Sequence, residues 1–178
     1  MTSPDGKEVT ATVIDDRFID VPHLRPHVMQ VPLPKGDTIG IKLVYSSHCW
    51  SARYDQALHG APACLMMDGA VARIFDAERF RLSQILPDML SDLASHRLYW
   101  TPADRNYGVY NASALIDGVA YTAFFTLKKD RGKIGGRRHN LVMRIESAYR
   151  APQPSKGMRI KFAAAIDHAL RGSKPKYR

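Results

Sequence analysis

The sequence predicts an α+β fold: an antiparallel sheet, built from N-terminal strands plus a β-meander, with one amphipathic helix before the meander and one after it. Three observations carry this. Leu82, Ile85, Leu86, Met89, Leu90 and Leu93 recur at spacings of three and four, which makes the single apolar stripe of a helix lying on a core. After Trp100 the apolar period drops to two on either side of Asp117-Gly118, the dipeptide favoured where both central residues of a hairpin turn need positive φ. Met158, Phe162, Ile166, Ala169 and Leu170 then return to helical spacing, after Ser155 and before a stop at Gly172.

The elements follow in chain order. Residues 1–8 are polar, with Pro4 and Gly6, and read as a flexible arm. Val9 to Ile14 alternates like a short edge strand. Pro22, Pro26, Pro32 and Pro34 each remove a backbone donor, so Val21 to Pro34 reads as an extended surface segment, neither a helix nor a central strand. After the turn signal Pro34 to Asp37, the alternation of Ile39, Ile41, Leu43 and Tyr45 marks a strand that ends in YSSHCWS. Ala57 to Gly69 is rich in Gly, Pro and small residues and reads as a loop. The helix of the leucine stripe starts at Ser83 with Pro87 near its first turn, or at Asp76 with a kink at Pro87. In the meander, Tyr110, Ala112, Ala114 and Ile116 share the buried side with Val119, Tyr121, Ala123, Phe125 and Leu127. Tyr107, Val109, Asn111, Ser113, Thr122, Phe124, Thr126 and Lys128 take the other side. In the third strand, strict alternation puts Ser147 and Tyr149 on the side of Leu141, Met143 and Ile145. A single α+β domain over residues 9–172, followed by a basic tail over 173–178, accounts for the whole chain.

Composition narrows the partners. The 178 residues hold 26 Lys plus Arg against 17 Asp plus Glu, a formal net charge of +9, with 45% apolar and 24% charged residues. That is globular composition with a positive bias, and it favours a partner carrying negative charge, nucleic acid above all. No apolar run approaches the roughly 18 residues of a membrane span, and the N-terminus is too polar for a secretion signal, so the expected compartment is the cytoplasm, with no membrane partner. Cys49 and Cys64 are too few for a disulfide scaffold. Together with His48 and His59 they match no familiar zinc spacing, and the acids are scattered without a two-metal pattern. GKIGG lacks the Lys-Ser/Thr and the preceding strand of a phosphate loop. No metal or cofactor is expected.

The densest charge lies in KKDRGKIGGRRHN. Lys128, Lys129, Arg131, Lys133, Arg137 and Arg138 face a single acid, Asp130, with His139 close behind. Six cations and three glycines read as a mobile positive arm suited to phosphate. Alternatively, it is a solvated loop kept polar against edge pairing. If the meander's second face is uncovered, Tyr107 and Phe124 offer stacking platforms for bases beside Lys128. A helix packed there would make them core instead. His48, at a strand end, titrates near neutral pH. Its neighbour Cys49 points the other way and reads as a small buried hydrophobe. Metal-free RNA cleavage needs a base for the 2′-hydroxyl, a cation for the phosphorane and an acid for the 5′-oxygen. His48 or His139, Lys128 or Arg131, and Ser147 with Tyr149 could fill these roles.

Two sets of residues carry resemblances. YSSHCWS at Tyr45 to Ser51, FDAERFRLSQILPDML at Phe75 to Leu90 and LVMRIESAY at Leu141 to Tyr149 resemble an uncharacterised group of bacterial proteins often encoded on mobile or genomic-island DNA. That group shows a tyrosine–serine–any–histidine–cysteine–aromatic pattern and a closing serine–alanine–tyrosine, and the likeness spans residues 38–150. Separately, the helix-then-meander layout is similar to the small ribonuclease toxins of barnase, colicin and RelE type. This second resemblance implies RNA cleavage by His, Lys or Arg, Ser or Thr, and Tyr, here His48, Lys128, Ser147 and Tyr149.

The resulting expectation is an RNA-directed protein, a metal-independent endoribonuclease of toxin or defence type, possessing a protein antidote. The alternatives are a non-catalytic nucleic-acid-binding or regulatory protein of a mobile element, or an inhibitor or adaptor docking on a nucleoprotein complex.

Overall fold

A computed structural model describes residues 12–14, 17–34, 36–60, 66–101, 109–151 and 157–176. The architecture is α+β, as the sequence predicts. A small antiparallel hairpin pairs β1 (Thr12–Ile14) with β2 (Arg17–Ile19). The main sheet has seven strands. β3 (His27–Pro32) and β4 (Thr38–Tyr45) form one flank, and β8 (Leu98–Thr101), β9 (Val109–Ile116), β10 (Val119–Ile134), β11 (Arg137–Arg150) and β12 (Met158–Ile160) form the rest. Their spatial order is β12-β8-β9-β10-β11-β4-β3. Every neighbouring pair is antiparallel except β11 and β4, which run parallel. A separate antiparallel sheet joins β5 (Ser51–Arg53), β7 (Val71–Phe75) and β6 (Met66–Asp68).

The core lies on one face of the main sheet. Tyr121, Ala123 and Phe125 of β10 and Leu141, Met143 and Ile145 of β11 are fully enclosed there. The leucine stripe covers them in two helical pieces, α2 (Ala77–Ser83) and α3 (Leu86–Ser91). Asp76 caps α2 by accepting from the Arg79 amide at 2.9 Å. The helix breaks at Gln84 and Ile85, because Pro87 has no amide proton to continue it and is tolerated only in the first turn of a new helix. The start at Asp76 with an interruption at Pro87 is therefore the observed form. The closing helix, named α4 once the four-residue α1 (Gln56–His59) is counted, runs Phe162–Arg171 and ends on Gly172 at φ 65°. Its Phe162, Ala165, Ile166 and Ala169 complete the core.

Several sequence expectations change. Met158 belongs to edge strand β12, so the last helix starts four residues later than the apolar spacing suggests; Ser155 lies outside the described residues. The proline-rich segment contains a 3-10 turn at Pro22–Leu24 and then β3, an edge strand, where missing donors cost least. The expected loop at Ala57 to Gly69 holds most of α1 and all of β6. Residues 9–11 of the first expected strand lie outside the described residues, as do Tyr107 and Cys64.

The expected mobile arm is the largest correction. β10 and β11 continue through Lys128 to Asn140 as an ordered two-stranded ribbon, closed by Gly135 and Gly136 at φ 54° and 82°. Two positive-φ glycines make the tight turn that a right-twisted hairpin prefers, as Asp117 and Gly118 do at φ 53° and 75°. A bulge between Lys129 and Gly132 interrupts the ladder. His139 is buried there, 2.7 Å from where a Cβ on Gly132 would sit and 3.3 Å from the Asp130 carboxylate, which Lys42 also approaches at 3.6 Å. Among the described residues, no helix is long and apolar enough to cross a membrane.

Candidate functional site

Strict alternation in β11 fails at Glu146. A second bulge lets Ile145 pair with Phe125 while Ser147 pairs with Phe124, so Glu146 is the extra residue. The consequence is a change of face. Ala148 takes the core position opposite Ala123, and Ser147 and Tyr149 turn onto the outer face opposite Phe124 and Thr122. The expectation that Ser147 and Tyr149 follow Ile145 inward is corrected, because the period of two holds only while the ladder is regular. The Phe124 and Tyr149 rings stack with centroids 5.3 Å apart, and both are partly exposed. Neither the Ser147 nor the Tyr149 hydroxyl has a hydrogen-bond partner among the described residues.

His48 does not stand on a strand. Ser47–Cys49 form a 3-10 turn that leaves β4, capped by Ser46, whose hydroxyl accepts from the His48 amide at 3.2 Å. The same hydroxyl donates to the Glu146 carbonyl at 2.6 Å, and the Ser46 amide donates to the Ile145 carbonyl at 3.0 Å. The turn is thereby tied to the bulge. It drives Cys49 into the core, where burial pushes the thiol pKa up to about 12, so it stays a neutral apolar group. His48 stays at the surface, as the opposed directions of neighbouring side chains require.

Three further groups join His48, and sequence reading identified none of them. Asp68, on β6, accepts from the Ser47 hydroxyl at 2.8 Å and lies 2.9 Å from His48 Nε2 through the same oxygen. With Nε2–H donated to a carboxylate, Nδ1 is left as the lone-pair nitrogen. Partial burial and then the Arg73 charge hold the imidazole below the ordinary histidine range, against an upward pull from Asp68. Burial would raise Asp68, but the Ser47 hydrogen bond and the His48 and Arg73 charges outweigh it and hold the carboxyl below its usual range.

Arg73, on β7, is 4% exposed and spends its guanidinium on Ser51: Nε donates to the hydroxyl at 2.8 Å and Nη2 to the carbonyl at 2.7 Å. Ser51 in turn donates to the Ser47 carbonyl at 2.7 Å, so Arg73 braces the His48 turn from below. Burial lowers its pKa, with a further contribution from Arg79. Arg79, on α2, donates to the carbonyls of Ser51 at 3.0 Å and His48 at 3.3 Å. Its guanidinium carbon lies over the Tyr149 ring, 5.2 Å from the centroid. His48, Arg79, Tyr149, Phe124 and Ser147 therefore form one contiguous surface patch.

Lys128 does not belong to it. Lys128 is six residues along β10 from Thr122, the partner of Tyr149, which at about 3.3 Å per residue is roughly 20 Å. Lys129, Arg131, Lys133, Arg137 and Arg138 lie further out on the ribbon, all exposed, while His139 is enclosed beneath it and lines no surface. The only signal in the sequence for Arg79 was its position in the first turns of a helix following Asp76. Among the described residues, no group of three or more His, Cys, Asp or Glu could hold a metal ion. An open groove of about 840 Å³, where edge strands β3 and β12 both reach Phe162, shares no residue with the patch.

Fold and patch together define an α+β protein that presents a histidine–carboxylate pair, an arginine and stacked aromatic rings where a bulged strand meets a 3-10 turn. The chain belongs to the YjaZ family, which it matches over residues 11–170. Neither a curated protein nor a solved structure matches it.

Proposed function

We propose that this protein acts on RNA and that the patch around His48 is a metal-independent endoribonuclease centre. The observation that carries the reading is the Arg79 guanidinium, held over the Tyr149 ring and bonded to the His48 backbone. One contact chain thereby brings together the three residue types that metal-free phosphodiester transfer needs. In this scheme His48 Nδ1 takes the 2′-hydroxyl proton as the 2′-oxygen attacks phosphorus. Arg79 neutralises the charge gathering on the phosphorane. The P–O5′ bond breaks as Tyr149 gives its phenolic proton to the leaving oxygen, leaving a 2′,3′-cyclic phosphate and a 5′-hydroxyl. Phe124 extends the ring surface on which an unpaired base would stack. Ser147 supplies a hydroxyl to a phosphate oxygen, and Asp68 fixes the His48 tautomer. The role first given to Lys128 passes to Arg79. A toxin or defence setting, cytoplasmic action and a protein antidote remain part of this proposal.

The test is incubation of labelled RNA with the purified protein in EDTA. Fragments ending in cyclic phosphate are expected, with cleavage lost in His48→Ala and in Tyr149→Phe while RNA retention persists. Intact RNA held in a salt-sensitive way would establish the second reading, a non-catalytic RNA-binding protein. The exposed cations of the β10–β11 ribbon favour that reading, because they lie far from His48 and need no reaction there.

A further inference from the structure

We infer that the β10–β11 ribbon is a docking site for the phosphate backbones of double-helical RNA, separate from the patch around His48. The inference rests on the RNA-directed reading and adds a substrate class to it: an unpaired segment flanked by a duplex.

The argument begins with how the cations are distributed. Lys133 pairs with Arg138 across the ribbon, and both share the face of Lys128. Arg137 pairs with Ile134 and lies on the opposite face, where Lys129 is set by its pairing with Leu141. Positive side chains therefore stand on both faces of a thin two-stranded blade. A single strand running along a sheet would call for cations on one face. Cations on both faces suit phosphates arriving from two sides, which is what the two backbones lining a duplex groove provide.

Charge neutralisation points the same way. The one acid in the segment, Asp130, is already engaged by Lys42 at 3.6 Å and by His139 at 3.3 Å. It does not offset Lys128, Lys129, Arg131, Lys133, Arg137 or Arg138, none of which is in an ion pair with an acid among the described residues. The blade is also stiff and slim. Antiparallel pairing runs to Ile134 and Arg137, the His139 ring fills the space over Gly132, and the tip is two glycines with no neighbour near the position of a Cβ. On the β10 side, pairing with β9 stops at Phe125 among the described strands, so the edge carrying Lys128 to Lys133 is open.

Geometry then links the two surfaces. Phe124 and Lys128 lie on the same outer face of β10, and the ribbon starts roughly 20 Å from Tyr149 along a continuous pair of strands. A duplex gripped by the ribbon would place an adjoining unpaired nucleotide over the Phe124–Tyr149 rings. The ribbon acts as a ruler and takes no part in the chemistry.

The test compares three fluorescent probes, an RNA stem-loop, the same loop sequence as a linear strand, and heparin, against the full chain and an Arg131→Ala/Lys133→Ala/Arg137→Ala/Arg138→Ala variant. The expected result is that the stem-loop binds about tenfold or more tighter than the linear strand, and that the variant loses this advantage. The slope of log affinity against log salt should flatten by roughly 3 in the variant, close to one unit per lost phosphate contact. Cleavage of the linear strand, where it occurs, should be unchanged by the variant, since none of the four residues lies in the His48 patch. Equal binding of the linear strand or heparin, or an unaltered stem-loop affinity in the variant, would overturn the assignment. Because duplex retention is read without cleavage, intact RNA in every arm would count against the nuclease centre and leave the ribbon decided on binding alone.

Discussion

Tyr149 stacks on Phe124 across the β10–β11 ladder only because Glu146 is an extra residue: without a bulge, alternation from Ile145 would send Tyr149 into the core. The partly exposed ring pair is thus a product of one local irregularity. Tyr149→Phe keeps both rings and should leave stability and RNA retention within about 0.5 kcal/mol, while removing the phenolic proton. Tyr149→Ala removes a ring that stacks on Phe124 and underlies Arg79, and should weaken RNA binding by about 1–3 kcal/mol. Fluorescence titration with a short RNA separates the two. Equal affinities for the Phe and Ala variants would mean that no base meets these rings.

His48 and Asp68 set a pH dependence whose sign is fixed. The folded protein holds the imidazole below 6.5, chiefly through burial and then Arg73. As pH falls, the unfolded chain takes up its proton first, so the stability associated with neutral His48 is present above 6.5 and is lost as pH drops through the lower folded value. Any rate that uses His48 as a base should rise with pH through a midpoint below 6.5. Asp68 opposes the depression, so Asp68→Asn should move the midpoint lower still. An NMR titration of the imidazole protons reads this without substrate, and an upward move in Asp68→Asn would contradict the arrangement.

Most of the fold was legible because its signals are local. The leucine stripe, the Asp117-Gly118 turn and Gly172 each act within a few residues, and each stands where spacing or φ preference puts it. What was lost depends on contacts across the chain. The sheet of β5, β6 and β7 consists of strands of three to five residues, too short for an alternation pattern to register. The ribbon was read as a loop because charge and glycine look alike in both, and pairing with a parallel β4 cannot be inferred from either strand alone. His48, Ser147 and Tyr149 were recognisable by residue type. Asp68, Arg73 and Arg79 were not, since their value lies in reaching one 3-10 turn from three elements.

The ribbon's attachment to the sheet should be sensitive to two glycines. A Cβ on Gly132 would sit 2.7 Å from the His139 ring, which is enclosed and faces Asp130, so Gly132→Ala should cost about 1–3 kcal/mol. A Cβ on Gly40 would meet the Arg138 carbonyl oxygen, a backbone atom that cannot rotate away. Gly40→Ala should therefore cost about 3 kcal/mol or more and loosen the parallel β4–β11 pairing. Denaturant midpoints give the ranking, and Gly40→Ala being the milder of the two would contradict it.

The Leu82, Leu86, Leu90 and Leu93 stripe should respond as a close-packed core, since each is enclosed to within 1% of complete burial. Leu90→Ala should cost about 2–5 kcal/mol, the range for a leucine cavity that the surroundings only partly fill. Ile85, 37% exposed at the break between α2 and α3, belongs to the same sequence pattern but not to the enclosed layer. Ile85→Ala should cost under about 1 kcal/mol. A thermal melt of the two variants distinguishes a real layer from a sequence stripe, because equal losses would mean that the helix break does not expose Ile85.

Deleting Glu146 separates the bulge's two effects. With the residue gone, Ile145 can still pair with Phe125 and Ser147 with Phe124, now in a regular ladder, so Ala148 stays in the core and Tyr149 stays on the outer face. What disappears is the Glu146 carbonyl that accepts from Ser46 at 2.6 Å, together with the side chain that Thr126 and Arg144 each reach at 3.3 Å. The protein should fold with a loss of no more than about 1–2 kcal/mol, the worth of a hydrogen bond or two. The 3-10 turn carrying His48 loses its tie to β11, so any cleavage should fall steeply while the Phe124–Tyr149 surface still binds RNA. Full cleavage by the deletion variant would show that the Ser46 tie does not position His48. Failure to fold would show that the bulge sets the register of β11, with Ser147 and Tyr149 unable to hold the outer face without it.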